Sequence, residues 1–128
     1  MNTKIVKMIY NPVAGQRHHR RFSKIVKLLK ANFKKLEILE TSGKGHAIAL
    51  AQGLEKNIDL LLIAGGDGTI NEVLNGVNNK KMVIGIIPIG TANVFANELG
   101  IPKNPNHLIT TLMPVSYTHL TLPTIHRV

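Results

Sequence analysis

The chain has no cysteine and no tryptophan, and only three Phe and two Tyr among its 128 residues. Without thiols, disulfides and thiolate metal sites are excluded, while the redox compartment is left open. So few aromatic rings, most of them at apolar positions, make no stacking platform for single-stranded nucleic acid, and a nucleic-acid partner is not expected. No apolar run approaches the roughly 20 residues of a membrane-spanning helix. Met1 to Met8 carries two lysines with no apolar segment behind them, so no signal peptide is recognisable and a cytoplasmic location is the expectation. The six histidines show no paired ligand spacing, and His18 and His19 read as loop residues.

Acidic residues are scarce as well: seven Asp+Glu stand against sixteen Lys+Arg, a formal charge of +9. The imbalance is local. Residues 1 to 36 hold ten of the cations and no acid, which leaves six cations against seven acids in the remainder. A basic region of this kind calls for an anionic partner, either an anionic membrane surface, a nucleic acid or a phosphate-bearing ligand. The 44% hydrophobic and 18% charged content is that of an ordinary globular domain, one domain or part of a larger protein.

What is present is a regular alternation of elements. Ile5, Val6, Met8, Ile9 and Tyr10 form a short apolar run closed by Asn11-Pro12-Val13-Ala14-Gly15, a first strand and its turn. From Arg17 onward Phe22, Ile25, Val26, Leu29 and Phe33 recur at helical spacing, with Arg20, Arg21, Lys24, Lys27, Lys30 and Lys34 on the other side. That is an amphipathic helix with a cationic face running from Arg20 to Lys35. Leu36 to Leu39 makes a second strand, Thr41 to Gly45 a loop, His46 to Leu54 a helix, and Leu60 to Ala64 a third strand. Ile70, Val73, Leu74 and Val77 then repeat at i, i+3, i+4, i+7, and Val83 to Ile87 is a fourth strand, apolar on both faces as a central parallel strand is. Strands alternating with helices predict an α/β fold, a doubly wound, mostly parallel open sheet of Rossmann-like type. The stretch 115–128 has neither strand alternation nor helical period and is left unassigned.

In such a fold the loops at the carboxyl ends of the strands share one edge, and here each is rich in glycine, hydroxyl or amide groups. The densest is Gly65-Gly66-Asp67-Gly68-Thr69, between a buried strand and a helix start. Residues without a Cβ let backbone N–H groups approach an anion, and the helix adds its positive dipole end. The spacing matches neither G-x-G-x-x-G nor a P-loop. A plainer reading is a tight turn with Asp67 or Thr69 capping the helix. Capping alone does not call for three glycines, so the expectation is a nucleotide. A carboxylate such as Asp67 beside phosphates needs a ribose hydroxyl or a divalent cation between them, and magnesium carried by the nucleotide, reached by Asp67 through water, meets that need. Pro88-Ile89-Gly90-Thr91-Ala92-Asn93 closes the fourth strand in the same way.

Taken in order and spacing, Asn11-Pro12 with Gly15, Thr41 with Gly45-His46-Ala47, Gly65 to Val73, and Pro88 to Ala96 resemble the diacylglycerol kinase catalytic domain family of lipid kinases, from about Ile5 to Met113. The bacterial soluble lipid kinases, diacylglycerol- and sphingosine-kinase-like, look like the nearest branch. The resemblance implies ATP-dependent phosphorylation of a lipid hydroxyl with Mg2+ at a membrane surface, by a two-domain enzyme that is cytoplasmic or peripheral at the inner membrane face, with room for a homodimer. It implies nucleotide contacts at Asn11, Pro12, Gly15, Thr41, Gly65, Gly66, Asp67, Gly68, Thr69, Asn71, Glu72 and Thr91. Asn71 and Glu72 have an alternative role in the first turn of the helix, where an acid complements the dipole.

The family's second, mostly β domain, with the acidic residue thought to activate the lipid hydroxyl, has no counterpart here. The expectation is therefore a truncated N-terminal nucleotide-binding domain, residues 1–114, which does not turn over alone and whose catalytic residue lies in the missing domain. Residues 115–128 read as foreign sequence such as translated adapter or vector DNA. Two rivals stand beside this reading: an NAD-kinase-like enzyme, which shares the Gly-Gly-Asp-Gly turn, and a non-catalytic module that uses the basic helix to bind membrane. The cationic face also has an ordinary solvated-surface reading.

Overall fold

A computed structural model of the chain describes residues 2–13, 19–77, 82–89 and 124–126. Among the described residues eight elements follow in order: β1 (Asn2–Tyr10), α1 (His19–Asn32), β2 (Phe33–Glu40), α2 (His46–Gln52), β3 (Leu60–Gly65), α3 (Asp67–Gly76), β4 (Val83–Pro88) and β5 (Thr124–His126). The sheet order is β2-β1-β3-β4-β5, with the first four strands parallel and β5 antiparallel to β4. This is the α/β, mostly parallel open sheet that the alternating sequence predicts. Right-handed crossovers send α1 to one face, because β1 to β2 steps one way, and α2 and α3 to the other, because the chain then steps back past β1.

Strand β3 lies between β1 and β4 and is buried along its whole length, as its unbroken apolar run requires. Leu61, Leu62 and Ile63 are fully buried with Val6, Met8, Ile9, Ile84 and Ile86, and each large aliphatic side chain removed from water contributes about 1.5–3 kcal/mol. Asp59 pins the entry of β3 to β1: its N–H donates to the Ile5 carbonyl at 2.9 Å and its Oδ2 accepts from the Ile5 N–H at 2.7 Å.

The first helix departs from its expected bounds. Phe33 follows Leu29 by four residues and fits the helical period, yet α1 ends at Asn32 and Phe33 opens β2, paired with Asn2. Lys34 and Lys35 accordingly sit on the strand and not on the helical cationic face. The Asn32 side-chain amide donates to the Leu28 carbonyl at 2.7 Å and so satisfies a last-turn acceptor. Phe33 is buried under either assignment, so its period could not reveal the boundary. At the other end, His19 lies within α1 and not in a loop. The second helix stops at Gln52, with Gly53 as its cap. Within the unassigned stretch 115–128, three residues form β5, too few to show a period.

Candidate functional site

The strand order reverses between β1 and β3: from β1 the chain goes outward to β2, then returns beyond β1 to β3 and on to β4. In an open parallel sheet this switch point leaves a crevice at the carboxyl ends of the two strands, because their outgoing loops turn to opposite faces. Here those ends are Tyr10-Asn11 and Gly65-Gly66.

Asn11 joins the two sides. Its backbone N–H donates to the Ala64 carbonyl at 2.9 Å, and its side-chain amide donates to Thr69 Oγ1 at 3.1 Å, across 58 residues of sequence. Its Oδ1 accepts from the Val13 N–H at 3.1 Å, a local bond that shapes the turn through Pro12. The amide of Asn11 therefore fixes both the first loop and the opening turn of α3.

The glycine segment is tighter than a loop. Gly65 is the last residue of β3, Gly66 alone bridges, and Asp67 is already the first residue of α3. The plainer reading, in which Asp67 or Thr69 caps the helix, does not hold. The N-cap is Gly66, without a side-chain cap bond, and Thr69 is buried with its hydroxyl accepting from Asn11. Asp67 instead places a carboxylate in the first turn, where it complements the helix dipole.

The glycines separate by cause. A Cβ at Gly65 would lie 2.8 Å from Thr69 Cβ, so this position is glycine because α3 folds back against β3. Gly66 has φ −91° and ψ −172°, an extended conformation open to other residues. A Cβ at Gly68 would meet nothing within 4 Å, and among the described glycines only Gly45 has positive φ. Neither packing nor backbone strain accounts for Gly68, although glycine costs about 0.5–1 kcal/mol relative to alanine within a helix.

The third component is the loop from Thr41 to Gly45. The Thr41 N–H donates to the Tyr10 carbonyl at 2.8 Å and sets this loop beside the first. Gly45 takes the left-handed conformation, φ 85°, where glycine is strongly favoured. Its N–H donates to Glu72 Oε1 of α3 at 3.1 Å, and the Ser42 N–H donates to His46 Nδ1 at 2.8 Å. Asn71 is exposed, and its carbonyl accepts from the Asn75 side chain one turn later. Beside the loops Tyr10 stacks on Phe22 with ring centroids 4.0 Å apart, and burial, helped by the Glu40 charge, raises the pKa of its phenol.

Of the residues singled out by sequence, Asn11, Pro12, Thr41, Gly65, Gly66, Asp67, Gly68, Thr69, Asn71 and Glu72 lie on the three neighbouring loops or the first turns of α3. Gly15 and Thr91 fall outside the described residues. Sequence reasoning passed over His46 as a loop partner, although a histidine four residues after a serine at a helix start is the available signal. It also passed over Gly76, where a Cβ would lie 2.6 Å from the Ile48 carbonyl and 2.9 Å from Ala51 Cβ, so that glycine sets how closely α3 packs on α2. Among the described residues no three His, Asp or Glu side chains converge as a metal site.

Comparison with known proteins agrees with this architecture. Residues 6–122 match the diacylglycerol kinase catalytic domain. The diacylglycerol kinase of Staphylococcus saprophyticus is 41% identical over 106 residues, 79% of this chain and 34% of that protein. That of Staphylococcus carnosus is 36% identical over 105 residues, with the same coverage. The chain thus spans about a third of the length of these curated relatives. A crystal structure of a diacylglycerol kinase from Bacillus anthracis str. Sterne superimposes with a TM-score of 0.77 at 36% identity, covering 90% of this chain and 41% of that one. With the family match running through all three loops of the switch-point crevice, the chain belongs to the diacylglycerol kinase catalytic domain family.

Proposed function

We propose that this chain is the ATP-binding wall of a lipid kinase that transfers the γ-phosphoryl group of ATP to the hydroxyl of a diacylglycerol-like lipid. Gly68 carries the reading. An unexplained glycine in the first turn of a helix whose N-cap lacks a side-chain bond leaves a bare rim of backbone amides, suited to phosphate oxygens that a side chain would obstruct. The N–H groups of Gly66 and Gly68 would hold those oxygens, with the hydroxyls of Thr41, Thr69 and Thr91 serving ribose or phosphate. Asn11, Pro12 and Gly65 would form the walls, and the family resemblance assigns Gly15 to the same nucleotide. Mg2+ would arrive with the nucleotide and neutralise phosphate charge, with the Asp67 carboxylate reaching it through water.

In the transfer the lipid oxygen forms the new bond to phosphorus, the bond to the β-phosphate oxygen breaks, and the hydroxyl proton leaves to a base. That base belongs to the second domain of the whole protein, and residues 1–114 alone do not turn over, since phosphoryl transfer needs both walls of the cleft. The lipid would be met at an anionic membrane surface, which places the protein in the cytoplasm and peripherally at the inner face. No described helix is long and apolar enough to cross a membrane. The exposed Arg20, Lys24, Lys27 and Lys30 of α1 suit such a surface, and Lys27 and Lys30 line an open, mostly apolar cleft of ≈ 470 Å³ with Phe22, Val26 and Ile38.

The direct test is phosphoryl transfer from γ-labelled ATP to diacylglycerol in phosphatidylserine-containing vesicles by the protein carrying this chain and its second domain. Label in the lipid only when Mg2+ is present is expected, and label in no lipid, or transfer to NAD instead, would overturn the reading.

A further inference from the structure

The Thr41–Gly45 loop is held by two side chains that lie outside it, and both use backbone donors of the loop. Glu72, on α3, accepts from the Gly45 N–H at 3.1 Å. His46, the first residue of α2, accepts at Nδ1 from the Ser42 N–H at 2.8 Å, with Ser42 Oγ at 3.1 Å from the same nitrogen. Accepting the backbone N–H at Nδ1 goes with the ring hydrogen on Nε2. Backbone bonds from Thr41 N–H to the Tyr10 carbonyl and from His46 N–H to the Gly43 carbonyl close the two ends.

We infer that Glu72 and His46 are positioning residues, which fix the Thr41 loop against the first turns of α3 and so set the distance between Thr41 and the amide rim around Gly68. This rests on the proposed nucleotide site and assigns Glu72 a place behind it: the carboxylate oxygen turned to Gly45 serves the loop. Sequence separation makes the link economical. One acid on α3, five residues after Asp67, couples the loop after β2 to the loop after β3, although Glu72 lies 27 positions after Gly45 in the sequence. Gly45, with φ 85°, presents its N–H in a conformation other residues rarely adopt. Because the bond needs an acceptor and not a charge, a neutral amide can replace the carboxylate, and because His46 acts through Nδ1, an asparagine oxygen can take that place.

The experiment uses the full chain in two readouts, amide hydrogen exchange without nucleotide and calorimetric Mg-ATP affinity. Glu72→Ala and His46→Ala should speed exchange at Gly45 and Ser42 respectively while leaving β3 amides unchanged, and weaken Mg-ATP binding about threefold to tenfold, the cost of one lost hydrogen bond. Glu72→Gln and His46→Asn should recover most of that loss. Unchanged exchange at Gly45 and Ser42 in the alanine variants overturns the inference whatever the nucleotide does. So does a Glu72→Gln variant as weak as Glu72→Ala, which would mean that the charge itself meets the ligand. Wild-type chain that binds no Mg-ATP, with loop exchange altered as expected, would leave the brace in place and refute the ATP-site reading alone.

Discussion

The two faces of the sheet are covered in opposite ways. On one side α2 and α3 approach so closely that Gly76 admits no Cβ between itself and the Ile48 carbonyl, and small Ala47 and Ala51 fill the seam. On the other, α1 covers the sheet with Phe22, Ile25 and Leu29, turns lysines outward, and leaves an open cleft beside β2. The tight face carries the helices that begin or brace the switch-point loops. The difference matches the proposed roles: loops proposed to hold a nucleotide rest on backbone-to-backbone packing, while a face proposed to meet water or a membrane is filled with large, adjustable side chains.

That contrast can be broken by mutation, most forcefully at the core. Leu29→Ala on α1 removes a fully buried side chain and should cost about 2–5 kcal/mol by denaturant titration. Gly76→Ala adds one methyl to the tight seam and should cost about 1–3 kcal/mol, with a further loss of nucleotide affinity as α2 and α3 separate. A neutral Gly76→Ala would remove the asymmetry between the faces. The smallest stability effect belongs to the outer surface of α1. Lys24→Gln, Lys27→Gln and Lys30→Gln together should change stability by less than about 0.5 kcal/mol per site, yet weaken flotation with phosphatidylserine vesicles by about 1 kcal/mol per residue removed. Equal binding to neutral and anionic vesicles would reduce that face to a solvated surface.

Much of the frame was legible because β3 and β4 are unbroken apolar runs, β1 is apolar from Ile5 onward but for Lys7, and α3 repeats its apolar positions at helical spacing. Boundaries were less so. Phe33 satisfies the helical period and the strand pattern alike, and only its parallel pairing with Asn2 decides between them. Strand order was not written in the alternation either: parallel crossovers are implied, but that β1 lies between β2 and β3 follows from which edges pair. At the site, the residue types were readable and their contacts were not. Asn11 to Thr69 and Gly45 to Glu72 join positions far apart in sequence, and local pattern carries no signal for such bonds. The alternative reading of Asp67 as a cap rested on Asp being a preferred cap residue, but β3 runs one residue further than its apolar pattern, to Gly65, and Asp67 falls inside the helix.

The central claim is that the amide rim at the start of α3 exists for a phosphate ligand, and Gly68→Val tests it most directly. Among the described residues, nothing beyond its chain neighbours and the helix's own backbone would lie within 4 Å of the added Cβ, so the folded state should tolerate the change within about 1 kcal/mol, the helix-propensity difference between these residues. Calorimetry of Mg-ATP against the folded chain should show saturable, magnesium-dependent binding that Gly68→Val abolishes while the melting temperature holds. A valine variant that binds Mg-ATP as well as the original, or an original that binds none, would contradict the account.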